Sequence, residues 1–291
     1  MIGAVLWQRK LDSAPVSTPI MPDGCMDLLW DGNCLFAAGP DTAARWHRGP
    51  VGTTYVALRF SGGLGPKLLG LPADELRDRT ANLDELWPGR QVRVLTEQVE
   101  ADPAAVLEAW VVKRAARCDQ DPLGPRVLAM AKAGTPIAVM AERLCISPRQ
   151  LHRRCLPAFG YGPRHLSRIM RFQRALEEVR CGVPMVQVAA TGGYADQAHF
   201  SREVRALAGT TPRGLLGYPY ADGSGANRST GRPSAKARLA RCPPPVGGDH
   251  PGSKDRMVSS VSHASRIPPG SSTSTWGSAS AVSGMSIPNR R

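Results

Sequence analysis

Two groups of polar side chains stand at matching places in this chain. The first is Arg149, His152 and Arg153; the second is Gln197, Ser201 and Arg202. At helical spacing each group falls on one outward stripe. Guanidinium, imidazole, carboxamide and hydroxyl groups on such a stripe offer hydrogen bonds and positive charge to a partner. They do not pair a nucleophile with a base.

Around these stripes the chain says nearly the same thing twice. Ser147, Leu151, Arg153, Gly160 and Pro163 recur 49 residues later as Asp196, Phe200, Arg202, Gly209 and Pro212. A capping residue, an apolar anchor, Arg, Gly and Pro keep their roles. Self-similarity at a fixed offset means one supersecondary unit used twice. The unit reads as helix, tight turn, helix, a motif whose second helix enters the DNA major groove.

The elements that must position the stripes follow in order. Ile137 to Leu144 forms a short amphipathic helix with Ala141 where helices cross. Ser147-Pro148-Arg149-Gln150 is a capping box with Pro at the first helical position. It opens a helix over 148–159 with Leu151 and Cys155 inward. Gly162-Pro163 starts a longer linker helix to about Arg180, with Leu166, Ile169, Met170, Phe172 and Leu176 inside. Its Arg164, Arg168, Arg171 and Arg174 read as a solvated face or as phosphate contacts. In the second copy Pro184 opens a helix ending near Thr191, and Gly192-Gly193-Tyr194 is the turn. Asp196 caps a helix over 197–208 with Phe200 and Val204 inward. Thr211-Pro212 starts a last short helix ending near Tyr218.

Charge separates the chain into three parts. Residues 1–124 hold 13 Lys/Arg against 16 Asp/Glu, residues 125–220 hold 14 against 5, and residues 221–291 hold 10 against 3. A basic block confined to one region suggests a polyanion for that region. A solvated face is the bland alternative.

The first part reads as β-rich. Residues 2–8 and 54–60 are short apolar or alternating runs. Asp31-Gly32 between Asp27–Trp30 and Cys34–Ala38 marks a hairpin. A small antiparallel sheet or barrel is expected over about 1–62. From Leu64 the period turns helical: a short turn at Pro66–Leu71, a helix start at Pro72–Leu76, helical spacing over Arg90–Glu100, and a helix from Asp102-Pro103 to about Arg117. Val106, Leu107, Trp110 and Val111 share its apolar face, and Cys118–Gly124 reads as a hinge. The expected class is therefore α+β: a small N-terminal β-sheet or barrel domain with following helices, then an all-α domain with two helix-turn-helix motifs joined by a linker helix. The domains are 1–118, 125–220 and a disordered basic tail, 221–291.

Enzyme chemistry finds no support. Residues 1–124 contain one His, His47, where a metal-bearing barrel needs two or three. Asp23, Cys25 and Asp27 read as a turn closed by its own side chains rather than an ion site. There is no G-x-S-x-G, G-x-G-x-x-G or Walker sequence. The seven Cys form no C-x-x-C pair, which argues against a zinc finger or a disulfide framework. No metal, no cofactor and no catalysis are expected. No stretch is long and apolar enough to span a membrane, so a cytoplasmic protein with no membrane partner is expected.

Gly193-Tyr194-Ala195-Asp196-Gln197-Ala198-His199-Phe200-Ser201-Arg202, followed by Gly209-Thr210-Thr211-Pro212, resembles the second helix-turn-helix of AraC-type transcriptional regulators. The first copy resembles that family's less regular first motif, and the likeness covers about 125–218. Pro22–Leu28, Ala38–Asp41 and Leu69–Asp78 resemble a small domain of unknown function that often precedes it. Cys155 and Val204 stand where the family usually has an aromatic.

The resemblance implies a sequence-specific regulator with helices 148–159 and 197–208 in successive major grooves of double-stranded DNA. Arg149, His152, Arg153, Gln197, Ser201 and Arg202 are then the base-edge candidates, Arg suiting guanine and Gln adenine. A structural or phosphate role is the alternative for Arg153 and Arg202. Such a regulator admits a small-molecule effector or self-association through the N-terminal domain, a homodimer, and RNA polymerase as partner. An architectural DNA binder without effector is the second reading. A DNA-modifying enzyme carrying this motif is the third, and it lacks a reactive constellation.

Gly, Ser and Pro make up 32 of the 71 residues in 221–291, with Trp276 the one aromatic. Such a composition buries too little apolar surface to order itself. Deleting 221–291 should leave the melting temperature and sequence preference nearly unchanged in a thermal melt and a DNA titration; a large drop in melting temperature would show that the segment packs.

Overall fold

The computed structural model describes residues 3–11, 18–47, 50–118 and 121–215. The 221–291 segment and the expected end of the last helix near Tyr218 lie outside them.

Seven strands form two sheets among these residues. β1 (Ala4–Lys10), β6 (Thr54–Phe60), β3 (Met26–Trp30), β4 (Leu35–Ala38) and β7 (Thr80–Asn82) make a five-stranded antiparallel sheet in the order β1-β6-β3-β4-β7. β2 (Thr18–Ile20) pairs with β5 (Arg45–His47) as a second, two-stranded sheet. The Asp31-Gly32 hairpin joins β3 to β4 as expected. The Asp31 carboxylate accepts from the Asn33 and Cys34 N–H groups, and Gly32 takes a left-handed φ of 96°. The sheet extends past residue 62, because β7 adds a strand at its edge.

Register sorts the sheet's two faces. The row Leu6–Leu58–Leu28–Ala37–Ala81 lies on one face. That face is covered by α3 (Gly89–Ala101) and α4 (Pro103–Ala115), which bury Leu95, Val99, Leu107 and Val111 against it. Along the chain, α1 (Gly65–Leu69), a 3-10 turn at Ala73–Leu76 and α2 (Leu83–Leu86) come between β6 and α3. The helical register read for 103–117 therefore holds. Of the Pro66–Leu71 stretch, Pro66–Leu69 belong to the short helix α1 rather than to a turn, and Gly70 caps it.

The rest of the described chain is helical: α5 (Leu123–Lys132), α6 (Ile137–Arg143), α7 (Pro148–Phe159), α8 (Pro163–Arg180), α9 (Met185–Thr191), α10 (Gln197–Ala208) and α11 (Pro212–Leu215). One core joins them. Leu151, Cys155 and Phe159 of α7 and Phe200, Val204 and Leu207 of α10 meet Leu166, Ile169, Phe172 and Leu176 of α8. Cys155 and Val204 are both fully buried despite their small size.

The two cores touch through loops of the sheet. Met21, 4% exposed, belongs to the helical core, not to the sheet's own. The Gln173 carboxamide donates to the Pro22 carbonyl at 2.6 Å, Arg77 donates to the Gly160 carbonyl at 3.2 Å, and the Ala44 N–H donates to the Leu207 carbonyl at 2.6 Å. Gly160 ends α7 with φ 78°, and a Cβ there would press into the Pro40 ring at 2.6 Å. Only glycine satisfies both demands.

Polar groups line the same contact. Asp41, 7% exposed, pairs with Arg45 at 2.5 Å. Burial outweighs that attraction and, with Asp78, Asp23 and Asp27 nearby, pushes the Asp41 carboxyl up to about 7. Truncating Met21 removes a side chain shared between the two parts. Met21→Ala should cost about 2–5 kcal/mol and lower the melting temperature of the full chain by about 5–15 °C. An unchanged denaturation curve would place Met21 outside the core.

Candidate nucleic-acid interface

Each recognition candidate sits on a helix whose start is fixed by its own caps. At α7 the Ser147 hydroxyl accepts from the Gln150 N–H, and the Gln150 side chain accepts from the Ser147 N–H. At α10 the Asp196 carboxylate accepts from the His199 N–H at 2.5 Å, and His199 Nδ1 accepts from the Ala195 N–H at 3.1 Å. That bond requires an Nδ1 without a proton. His199 therefore plays the part of Gln150, with its acceptor reaching back one residue further. The sequence reading left His199 without a role. Its place three residues after the cap, as in the first copy, was the available signal.

Both stripes lie outward. Arg149, His152 and Arg153 are exposed on α7, and Gln197 and Arg202 are exposed on α10. Ser201 is half-buried. Among the described residues none of the six forms an ion pair. The His152 ring leans back over Gly162, where a Cβ would collide with it. The inward partners of each helix, Leu151 and Phe200, are 0% and 1% exposed.

The arginines of α8 correct the sequence reading. Three of the four hold the helices together rather than form a solvated or phosphate-facing row. Arg168 donates to the Glu203 carboxylate at 2.8 Å, and Arg171 reaches the same oxygen at 3.4 Å. Arg171 also lies 4.8 Å from the Tyr194 ring centroid and donates to the Gly193 carbonyl in the second turn. Arg174 donates to the Lys132 carbonyl at the end of α5. Arg164 alone of the four is exposed. Glu203 is thus a carboxylate of α10 held by two guanidinium groups of α8.

In the sheet domain, the Asp23 carboxylate accepts from the Cys25 N–H and pairs with Arg59, which also grips Asp27. Trp7 donates to Asp27 as well. Asp23 and Cys25 thus close the turn on itself as read from the sequence, whereas Asp27 lies in β3 and is held by Arg59 of β6 and Trp7 of β1. Among the described residues no group of three or more His, Cys, Asp or Glu side chains could hold a metal ion, and no helix is long and apolar enough to cross a membrane.

Two family models match the chain. Residues 140–217 match a helix-turn-helix domain, and residues 4–82 match a domain of unknown function (DUF6597). No curated protein matches the chain. Among solved structures, ToxT from Vibrio cholerae shares 12% identity over 73% of this chain and 97% of its own, with a TM-score of 0.40. A ToxT structure bound to an unsaturated fatty acid shares 12% over 73% and 94%, with a TM-score of 0.38. The C-terminal domain of AraT, a response regulator from Geobacillus stearothermophilus, shares 20% over 40% and 97%, with a TM-score of 0.32.

Burial works to raise the Glu203 carboxyl, but the hydrogen bond from Arg168 and the charges of Arg168 and Arg171 outweigh it and hold the group below the ordinary glutamate value. A lowered carboxyl stabilises the fold above its unfolded value, about 4.3, and loses that contribution as pH falls through the folded value. Glu203→Gln should therefore melt a few degrees below wild type near neutral pH, and the gap should narrow as the pH falls below about 4.3; a gap independent of pH would show that Glu203 acts through packing alone.

Two capped helices with outward polar stripes, clamped on one linker helix, coincide with the matched segment. The chain carries an AraC-type helix-turn-helix domain behind a domain of unknown function, the make-up of a DNA-binding transcription regulator.

Proposed function

We propose that the protein binds specific duplex DNA with α7 and α10 in successive major grooves. Arg149, His152 and Arg153 read one groove, and Gln197, Ser201 and Arg202 read the next. The observation that carries this reading is the pair of exposed stripes on two helices fixed to one spacer, in a region with 14 basic against 5 acidic residues. Arg can grip guanine and Gln adenine by two bonds each. The N-terminal domain controls this activity through a small molecule or a second copy of the chain, since its loops touch α8 and the end of α10. A DNA-bound regulator of this kind acts on RNA polymerase.

The test is binding-site selection on random duplexes with the full-length protein, followed by titration of variants on the selected site. Arg202→Ala and Arg153→Ala should each cost about 1–3 kcal/mol and relax preference at one position, with melting temperature kept within a few degrees. Affinity should fall steeply with salt as counterions are released. Even weakening across all sequences would assign these arginines to phosphate. Failure to enrich any sequence would favour the architectural reading.

A further inference from the structure

The two recognition helices start alike but for one side chain. Each has a capping residue followed, three residues on, by a side chain that reaches back over the helix start. That side chain is Gln150 behind Ser147 and His199 behind Asp196. A carboxamide oxygen accepts at every pH. An imidazole Nδ1 accepts only while it carries no proton.

His199 holds more than one backbone group. The Ala195 N–H that it accepts belongs to the turn between α9 and α10, next to Tyr194. Tyr194 is buried and meets the imidazole edge to face at 5.6 Å and the Phe200 ring at 5.1 Å. Its N–H donates to the Ala189 carbonyl of α9 at 3.2 Å. The imidazole thus closes the first turn of α10 onto the residues before it. Gln197, the first residue of the helix, is exposed and lies in that first turn. Ser201 and Arg202 lie beyond it, where Phe200, Val204 and the Glu203 clamp hold the helix to α8. Loss of the His199 bond therefore frees Gln197 before the other two.

A proton on Nδ1 sets two donors, the ring N–H and the Ala195 N–H, against each other, so the ring must turn away. The charged groups around it give the turned ring a partner. Asp196 stands at the cap, and Glu203, one turn further on, attracts an imidazolium. Arg168 and Arg171 of α8 grip Glu203 and oppose the new charge, with Arg171 over the Tyr194 ring.

We propose that His199 is the residue that positions Gln197, and that the base pair facing Gln197 is read only while His199 Nδ1 is bare. The base pairs facing Arg149 and Arg153, on the helix capped by Gln150, are read independently of His199. This rests on the reading of α7 and α10 as recognition helices.

The full chain is titrated with the selected duplex and with duplexes altered one base pair at a time, at about pH 8 and about pH 5.5, on either side of the range in which imidazole side chains take up a proton. Affinity ratios between duplexes are compared, so that the general attraction of added positive charge to phosphate cancels. The base pair facing Gln197 is the one whose preference Gln197→Ala abolishes. Wild type should prefer that pair at least about tenfold at the higher pH and less than about twofold at the lower. The preferences that Arg149→Ala and Arg153→Ala abolish should change by less than about twofold between the two. His199→Gln, which makes a capping box like that of α7, should keep the Gln197 preference at both pH values. His199→Ala should lack it at both, with a melting temperature within a few degrees of wild type. The pH profile and His199→Gln decide the matter even where His199→Ala fails to fold. Nitrogen NMR of the free chain should place the His199 proton on Nε2 at the higher pH. The inference is overturned, and the groove reading left intact, by a Gln197 preference that ignores pH, by a pH dependence that survives His199→Gln, by a proton on Nδ1 at the higher pH, or by a Gln197→Ala variant that loses no preference. A chain with a bare Nδ1 that enriches no DNA sequence overturns the groove reading itself and the role of His199 with it.

Discussion

The buried face of α8 is the constraint on which the DNA-binding half depends. Leu166, Ile169, Phe172 and Leu176 lie along one side of that helix, and both helix-turn-helix units press their inward anchors onto it. Neither unit has a core of its own. α7 brings Leu151, Cys155 and Phe159, and α10 brings Phe200, Val204 and Leu207. The spacing and rotation of the two outward stripes are therefore set by one rigid rod. The Glu203 contacts add direction to this packing: two guanidinium groups of α8 fix the axial position of α10, which apolar contact alone leaves free to slide.

The sheet domain is locked to this helical core at several separated points. Met21 enters the core, Pro22 accepts from Gln173, Pro40 fills the space that Gly160 leaves open, and Ala44 bonds the end of α10. All four of these points lie on the two loops that flank the β3–β4 hairpin. Movement of those loops is felt at the end of α7, along α8 and at the end of α10 at once. These contacts are the physical basis of the control proposed above for the N-terminal domain.

The helix starts were legible because caps and first-turn prolines are local. Ser147-Pro148 and Asp196 stand at the starts of α7 and α10 in the sequence as in the structure. The hairpin at Asp31-Gly32 was legible for the same reason. The strands β2, β5 and β7 were not, since three residues carry no periodicity. Helix α5 was hidden by Gly124 and Pro125 near its start, although Val127 and Ala131, four apart, are both buried. Arg168, Arg171 and Arg174 looked like a solvated row because their partners, Glu203 and the carbonyls of residues 193 and 132, lie far away in sequence. The outward direction of the two stripes was legible from spacing alone. The use of Met21 in a core made from residues 127–215 was not, because nothing local marks a side chain whose neighbours come from another part of the chain.

The placement of Met21 sets an order on how the protein is made. A growing chain releases its N-terminal part first, and that part can complete its own sheet and helices once residue 111 has emerged. The loop bearing Met21 then has to keep an apolar side chain in water until α8 and the elements around it have been synthesised. Closing this contact spans well over a hundred residues, a separation that slows docking far more than it weakens the docked state. Docking of the Met21 loop into the helical core thus follows the synthesis of both parts of the chain.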